Sequence, residues 1–225
     1  MDDGKQIINY HFSFATSPEG FDEHIKNSIE GYEVLNDNIV SISKYFVEPG
    51  TNIYDLGCST GSLINALQKN NVGLGGTYYG IELCHDFKQI PNDKILYVHE
   101  DIRESKLFEA SFITCIFTLQ FIPQVFRQSI LDKIYEALNP GGGFVLAEKI
   151  LANNSKTQEI LTFTHYDFKS QFFDSNEILD KEKTLRSMLK PCYLEELVSM
   201  LHKAGFKEVQ TFWQSYLFVG ILAIK

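Results

Sequence analysis

The stretch over residues 53–61 constrains the fold most, because an apolar run there ends in an acid and then in a glycine turn. Gly57 and Gly61 frame the turn, and residues 62–69 follow it with a helical pattern. A strand that turns directly into a helix presents backbone N–H groups at the mouth of a sheet, and glycine lets a ligand approach that backbone closely. The turn therefore predicts a nucleotide-like ligand.

The chain has 225 residues, of which 44% are hydrophobic, so it can bury one ordinary core. We predict a single domain over residues 1–225, with a helical insertion at 156–190. Residues 1–20 are polar and aromatic, which predicts either a poorly ordered segment or a lid. Four aromatic residues in and just after this segment would either close over the ligand as a lid or pack on the core: Tyr10, Phe12, Phe14 and Phe21.

The net charge of −9 and the absence of a basic run argue against direct nucleic-acid binding and favour a small-molecule substrate. No apolar run approaches the roughly 20 residues that span a membrane, and the N-terminus lacks a signal peptide's pattern. These features predict a cytoplasmic protein without membrane contact. The cysteines are widely spaced, which predicts free thiols and no metal site: Cys58, Cys84, Cys115 and Cys192.

Strand-like and helix-like segments alternate after residue 50. The predicted strands are 52–56, 77–82, 95–99, 112–117, 143–149, 209–213 and 218–224. The predicted helices are 21–47, 62–69, 126–138, 156–190 and 194–204. This alternation predicts an α/β, Rossmann-like fold: a mostly parallel seven-stranded sheet with helices on both faces and an antiparallel last strand.

Ligands of such sheets lie outside the carboxyl ends of the strands. Four of these ends carry suggestive residues: the turn from Asp55 to Gly61, Glu82, Asp101 and Phe117. Asn65 stands where a dinucleotide site would have its third glycine, which weakens a NAD interpretation.

The acids at the next two strand ends suit a nucleoside. Glu82 follows Gly57 by 25 residues, a position from which a carboxylate binds ribose hydroxyls. Asp101 with Ile102 could hold an adenine amino group and cover its ring. The alternatives are an exposed strand-end acid at Glu82 and an acid capping a turn at Asp101.

Together these positions resemble the class I S-adenosylmethionine (SAM) methyltransferase superfamily. Several longer strings are similar to those of the carboxy-SAM synthase family, and the resemblance runs from about residue 25 to the C-terminus. These strings are residues 54–59, 101–103, 117–121, 131–135, 138–142, 148–149, 167–169 and 201–206.

The resemblance implies a methyltransferase fold that transfers no methyl group. It implies that prephenate supplies carbon dioxide to a sulfonium ylide of SAM, which gives carboxy-SAM and phenylpyruvate. A partner enzyme would then carry the carboxymethyl group to the wobble uridine of tRNA, so the synthase itself need not touch RNA.

Carried over by position, the resemblance places Tyr32 at the amino-acid end of SAM or carboxy-SAM, Glu82 with Leu83 at the ribose, and Asp101 with Ile102 at the adenine. The predicted cofactor-binding residues are Tyr32, Asp55, Gly57, Cys58, Ser59, Gly61, Glu82, Leu83, Asp101, Ile102, Ile116 and Phe117. No catalytic residue is assigned.

Three departures from the family bear on the bound SAM or carboxy-SAM. Ile116 replaces an asparagine, Glu82 an aspartate, and Met200 the arginine that binds the added carboxylate. Losing a charge-assisted contact costs roughly 1.5–3 kcal/mol. Either another cation replaces the arginine or the ligand is ordinary SAM; the candidate cations are Lys149, Lys169 and Arg186.

His165 and Tyr166 stand where the family has a pair of histidines. With Met200 they form the predicted substrate pocket. For His165 and Tyr166 the alternative is a contact in the core or between subunits, and the chain is a candidate homodimer. Two other functions stay open: an ordinary SAM-dependent methyltransferase acting on a small molecule, and a non-catalytic binding protein of the same fold.

Overall fold

The computed structural model describes residues 18–225. Its helices are α1 (Pro18–Ser28), α2 (Tyr32–Ser43), α3 (Ser62–Asn70), α4 (Gln124–Ala137), α5 (Ser155–Lys169), α6 (Ser175–Met188) and α7 (Leu194–Ala204), with a 3-10 turn at Leu119–Phe121. Its strands are β1 (Asn52–Leu56), β2 (Thr77–Glu82), β3 (Ile95–His99), β4 (Ala110–Ile116), β5 (Leu138–Leu151), β6 (Cys192–Tyr193), β7 (Glu208–Ser215) and β8 (Phe218–Ile224).

The main sheet confirms the predicted fold class. Its strand order is β3-β2-β1-β4-β5-β8-β7, and the first five strands run parallel. β8 is antiparallel to both of its neighbours. β8 is an inner strand, and the two edge strands are β3 and β7. The short β6, which the sequence pattern did not predict, pairs with β5 outside this path.

Side chains on the two faces of the sheet form two apolar clusters, as the two-residue period of strands requires. Tyr54 of β1 packs in the cluster that contains residues of α4 and α7. Its neighbour Ile53 packs in the cluster that contains residues of α2 and α3. Helices therefore cover both faces of the sheet. A ligand site is then expected at the carboxyl ends of the parallel strands.

Two predicted helices are each divided in two. The helix predicted at 21–47 breaks at Gly31, whose backbone is left-handed with φ 77°, and α2 ends at Ser43. The insertion predicted at 156–190 consists of α5 and α6. Asp174 starts α6 as its N-cap, because its side chain accepts hydrogen bonds from the N–H groups of Asn176 and Glu177.

β5 begins at Leu138 instead of 143. The sequence pattern assigned residues 139–142 to a loop because they contain proline and glycines. In the structure Leu138 pairs with Ala110 of β4, and the N–H of Gly141 donates to the carbonyl of Lys225. Tertiary pairing therefore overrides the local turn preference of this segment.

Candidate functional site

The glycine turn joins β1 to α3. The N–H groups of Gly57 and Cys58 both donate to the carbonyl of Ile81 in β2, at 2.8 and 3.0 Å. Gly57 and Gly61 have φ of 77° and 78°, in the left-handed region. A Cβ on Gly57 would overlap the Thr118 side chain, and one on Gly61 would overlap the Tyr97 ring. Both glycines are thus required by packing as well as by backbone conformation.

Glu82 connects the end of β2 to this turn. Its Oε2 accepts the N–H of Ser59 at 2.9 Å, and its Oε1 accepts the N–H of Cys84 at 2.8 Å. Burial raises the pKa of the Glu82 carboxyl, and the hydrogen bonds from Cys84, Ser59 and Leu83 partly oppose that shift. The carboxylate is therefore held in one orientation, and it lines the cavity described below.

Asp55 lies at the end of β1 and is buried. Thr114 Oγ1 donates to its Oδ1 at 2.8 Å. Burial raises the pKa of Asp55 to about 7, despite the hydrogen bond from Thr114 and with a further contribution from the charge of Glu82. Cys58 beside it has a thiol pKa raised far above its usual range by burial, so this thiol is not a nucleophile at neutral pH.

Asp101 follows β3 and is bound to Arg103. Arg103 Nε and Nη2 donate to its Oδ2 at 2.9 and 2.6 Å, and the Arg103 N–H donates to Oδ1 at 2.8 Å. Burial alone would raise the pKa of Asp101, but these contacts lower it below its ordinary value. Asp101 is therefore ionised at neutral pH. Ile102 next to it is buried and lines the same cavity.

Phe117 follows β4 in the left-handed conformation, with φ 53°. Its ring lies 6.3 Å from that of Tyr32 and 5.7 Å from that of Phe218, measured between centroids. A non-glycine residue with this backbone is held there by its surroundings. Ile116, which precedes it, is half-buried.

One cavity of about 990 Å³ connects these elements. It lies at the carboxyl ends of the parallel strands, where the sequence placed the site. Twelve of the fifteen predicted site residues line it: Tyr32, Asp55, Gly57, Cys58, Ser59, Glu82, Leu83, Asp101, Ile102, Ile116, Phe117 and His165. Gly61, Tyr166 and Met200 do not.

The three remaining residues have structural surroundings of their own. Gly61 precedes α3, and its N–H donates to the carbonyl of Cys58 at 2.7 Å. The Tyr166 ring packs edge-on against Phe163. Met200 of α7 is half-buried against the core cluster on that face of the sheet. Its side chain therefore does not reach the cavity within this chain.

Helix α1 forms one wall of the cavity. Thr60 Oγ1 in the glycine turn donates to Asp22 Oδ1 at 2.8 Å, and Phe21 packs edge-on against Phe87 at 4.8 Å. At the other end of α1, the Ser28 carbonyl lies 2.8 Å from His165 Nε2. Of the aromatic residues predicted as a lid, Phe21 thus lies in this wall. Tyr10, Phe12 and Phe14 lie outside the described residues.

Lysines line the part of the cavity next to α5 and α6. Lys149 is at the end of β5, Lys169 at the end of α5, and Lys181 in α6. Lys169 is 3% exposed, and its Nζ lies 3.6 Å from Glu182 Oε1. Burial lowers the pKa of Lys169, and it lowers the pKa of Lys181 to about 8. Arg186, the third candidate cation, does not line the cavity.

His165 lies among these lysines. Burial lowers its pKa to about 4, although the Ser28 carbonyl opposes the shift. The ring is therefore neutral at pH 7, and Nε2–H donates to the Ser28 carbonyl, the acceptor that it faces. The Phe218 and Tyr216 rings lie within 5.5 Å of it, between centroids.

Lys181 and Gln120 also line the cavity and were not predicted. Lys181 belongs to an exposed, charged helix whose sequence has no distinguishing motif. Among residues 18–225, no three His, Cys, Asp or Glu side chains are grouped as a metal site. Across the same residues, no helix has the length and apolar character of a membrane span.

A family profile described as a methyltransferase domain matches residues 23–211. The carboxy-S-adenosyl-L-methionine synthase of Staphylococcus epidermidis is 35% identical over 224 residues, covering 97% of this chain and 98% of that protein. The enzyme of the same name from Escherichia coli is 34% identical over 218 residues, covering 92% of this chain and 88% of that protein.

Solved structures share the fold. Human N-acetylserotonin methyltransferase, in complex with SAM, superposes with a TM-score of 0.60 at 17% identity, over 92% of this chain and 55% of that one. The YcgJ protein of Bacillus subtilis superposes with a TM-score of 0.63 at 10% identity, over 86% of this chain and 99% of that one. The fold agrees with the sequence relatives, and the chain belongs to the carboxy-S-adenosyl-L-methionine synthase family of methyltransferase-fold enzymes.

Proposed function

We propose that this protein binds SAM and converts it to carboxy-SAM with carbon dioxide taken from prephenate. The observation that carries the proposal is the distribution of charge in one cavity. Acids line it at the carboxyl ends of β1, β2 and β3, and lysines line it at β5 and the two helices that follow. Membership of the family makes the chain a SAM-dependent transferase, and the identity of its second substrate is the proposed part.

The acidic part of the cavity suits the nucleoside and amino-acid groups of SAM. Glu82 is fixed by two backbone N–H groups and would accept hydrogen bonds from the ribose hydroxyls. Asp101 and Ile102 would bind the adenine at the next strand end. Asp55 and Tyr32, on the walls near the turn, would face the amino-acid end.

The lysine-lined part of the cavity supports an anionic second substrate. In the sheet order, β5 is separated from β2 by β1 and β4, so the lysines lie on the other side of the glycine turn from Glu82. Prephenate carries two carboxylates, which such lysines would bind. An uncharged or cationic methyl acceptor would gain nothing from them.

The same lysines supply cations that could bind the added carboxylate in place of the family arginine. Met200 does not line the cavity, whereas Lys149 and Lys169 do. We propose that Lys149 supplies the cation for the added carboxylate, because it stands at a strand end with its Nζ 5.8 Å from the centre of the Phe218 ring. Lys169 is already paired with Glu182 and would bind the second substrate.

SAM would supply a methyl carbon that is activated by the sulfonium group. This carbon would lose one proton and gain the carbon dioxide that leaves prephenate, which gives carboxy-SAM. Prephenate also loses hydroxide, which would take up the proton, so the other products are phenylpyruvate and water. The chain's own part is to bind both molecules in one cavity. His165 is neutral at pH 7, so in this part of the cavity the lysines, and not the imidazole, would attract the carboxylates.

The direct test is to incubate the purified protein with SAM and prephenate and to identify the products by mass spectrometry. Carboxy-SAM and phenylpyruvate in equal amounts are expected, together with carboxy-SAM or SAM among the ligands that co-purify. Binding of SAM by calorimetry without formation of carboxy-SAM would contradict the proposed reaction.

An ordinary SAM-dependent methyltransferase is the second candidate. It is favoured by Ile116, an apolar side chain on the cavity wall where the resemblance places an asparagine. Transfer of a labelled methyl group from SAM to a small molecule would support it. A protein that binds neither SAM nor carboxy-SAM would instead fit the non-catalytic alternative.

We further propose that the product serves tRNA wobble-uridine modification by a partner enzyme, in the cytoplasm, without direct RNA contact by this chain. Loss of the carboxymethyl-derived group from tRNA in a deletion strain would test this role. A homodimer also stays a prediction, which light scattering of the purified protein would check.

A further inference from the structure

The parallel pairing of β4 with β5 is interrupted beside the cavity. The strands pair up to Ile116 and Ala147, and the N–H of Phe117 then donates to the carbonyl of Ala147 at 2.7 Å. In a regular parallel ladder, the next hydrogen bond would run from the N–H of Lys149 to the carbonyl of Phe117. The left-handed backbone of Phe117 instead turns the chain away from β5.

The side chain of Gln120 occupies this interrupted step. Its Oε1 accepts the N–H of Lys149 at 2.8 Å, and its Nε2 donates to the carbonyl of Phe117 at 3.3 Å. The two partners fix the orientation of the amide, since one is a donor and the other an acceptor. A single side-chain amide thus stands where a direct bond between the two strands would be.

Gln120 itself is held firmly. Its carbonyl accepts hydrogen bonds from Arg127 Nη2 at 3.2 Å and from the N–H of Lys190 at 3.0 Å. Gln120 is 4% exposed and Arg127 1% exposed. Because both its backbone and its side chain are bound, Gln120 cannot shift without breaking contacts to several elements.

Phe117, Gln120 and Lys149 all line the cavity. We infer that Gln120 is a positioning residue that fixes the register between Phe117, on the cofactor side, and Lys149, on the anion side. This inference rests on the proposed function for the identity of the two ligands. A small misplacement of reacting groups lowers turnover far more than it lowers binding, so the effect should fall on catalysis.

The test compares Q120M with Q158M. Methionine keeps the length of glutamine and removes both hydrogen bonds. Gln158 is a matched control, because its Oε1 accepts the N–H of Ala152 just after β5, at 2.9 Å, yet it does not line the cavity. We expect Q120M to lower kcat for carboxy-SAM about tenfold or more, with the Kd values of SAM and prephenate within about threefold of wild type.

Two further measurements separate positioning from a merely structural role. Q120E retains an acceptor for Lys149 but sets a second oxygen against the Phe117 carbonyl, so its kcat should fall below that of wild type, as in Q120M. Hydrogen exchange of the Lys149 amide should be faster in Q120M than in wild type and unchanged in Q158M. This exchange reports the register without requiring turnover.

Unchanged exchange of the Lys149 amide in Q120M would overturn the inference. Two other results would also overturn it. One is an equal loss of stability in Q120M and Q158M with turnover retained in both. The other is a fall in the turnover of Q120M that is explained entirely by weaker SAM binding. Failure of the proposed function would look different, because wild type itself would then form no carboxy-SAM from SAM and prephenate.

Discussion

Glu82 Oε2 accepts the backbone N–H of Ser59 at 2.9 Å, which ties the end of β2 to the glycine turn after β1. Ser59 has a left-handed φ of 46°, and Cys84 donates to the other carboxyl oxygen. The acid that would bind the ribose is therefore also part of the scaffold of the turn. Substitutions of Glu82 test both roles.

Glu82→Gln should weaken SAM binding. An amide has one carbonyl oxygen, so its NH₂ group would face either the Ser59 or the Cys84 N–H, and a ribose acceptor would be lost. Hydrogen bonds to charged groups are worth about 1.5–3 kcal/mol, which corresponds to roughly ten- to hundredfold in Kd. Calorimetry with SAM measures this, with the exposed Glu208→Gln as control. An unchanged Kd would mean that Glu82 only supports the turn.

Asp55 and His165 should give opposite pH dependences of stability. Burial raises the pKa of Asp55 from 3.8 to about 7, so its contribution to the free energy of unfolding falls as pH rises through that interval. Burial lowers the pKa of His165 from 6.5 to about 4, so its contribution is lost as pH falls through that interval. Each slope is at most about 1.4 kcal/mol per pH unit.

Denaturant unfolding of Asp55→Asn and His165→Gln between pH 4 and 7 measures these slopes. Relative to wild type, Asp55→Asn should become more stable as pH rises, and His165→Gln more stable as pH falls toward 4. Identical pH profiles for wild type and both variants would mean that neither group is perturbed by burial.

Lys149→Met and Lys169→Met should each weaken prephenate binding to the SAM-loaded protein, by roughly tenfold or more, because each removes a charged partner for a carboxylate. Lys149→Met should additionally weaken binding of carboxy-SAM relative to SAM. Lys183→Met is the control, since Lys183 is exposed on α6 and paired with Asp180. Equal affinity for SAM and carboxy-SAM in wild type would argue against the role of Lys149.

Gly57→Ala should destabilise the fold more than Gly50→Ala. Both glycines have similar left-handed backbones, with φ of 77° and 75°, but a Cβ on Gly50 meets nothing within 4 Å. Gly50→Ala should therefore cost only the conformational strain of about 1–2 kcal/mol. Gly57→Ala adds the overlap with Thr118, and Thr118→Gly should relieve that part alone. Additive effects of the two substitutions would contradict this contact.

Strands were the most predictable elements. β1, β2, β3 and β8 have the predicted bounds, because short apolar runs between turn residues are a local signal. The break between α1 and α2 at Gly31 was missed, because the apolar period continues across it. β6 was missed because its two residues form a strand only through their pairing with β5.

The lining of the cavity was predictable where residues follow strands. Asp55, Glu82, Asp101 and Phe117 lie together because parallel strands end at one edge of the sheet. Lys181 and Gln120 were not predictable, because their positions depend on how α6 packs over the cavity and on where β4 leaves β5. Met200 stands at the sequence position of the family arginine, but in the structure its side chain packs against the core.

The contacts of α1 bear on how this protein can be truncated. Asp22 accepts a hydrogen bond from Thr60 at one end of α1, and Ser28 accepts one from His165 at the other. Residues 21–29 are therefore held in place as one wall of the cavity. A shortened version starting at residue 30 would retain every strand of the sheet and still lack one side of the cavity. Such a version would also lose Ile29 from the core, so we expect it to be less stable and to bind SAM more weakly than the full chain.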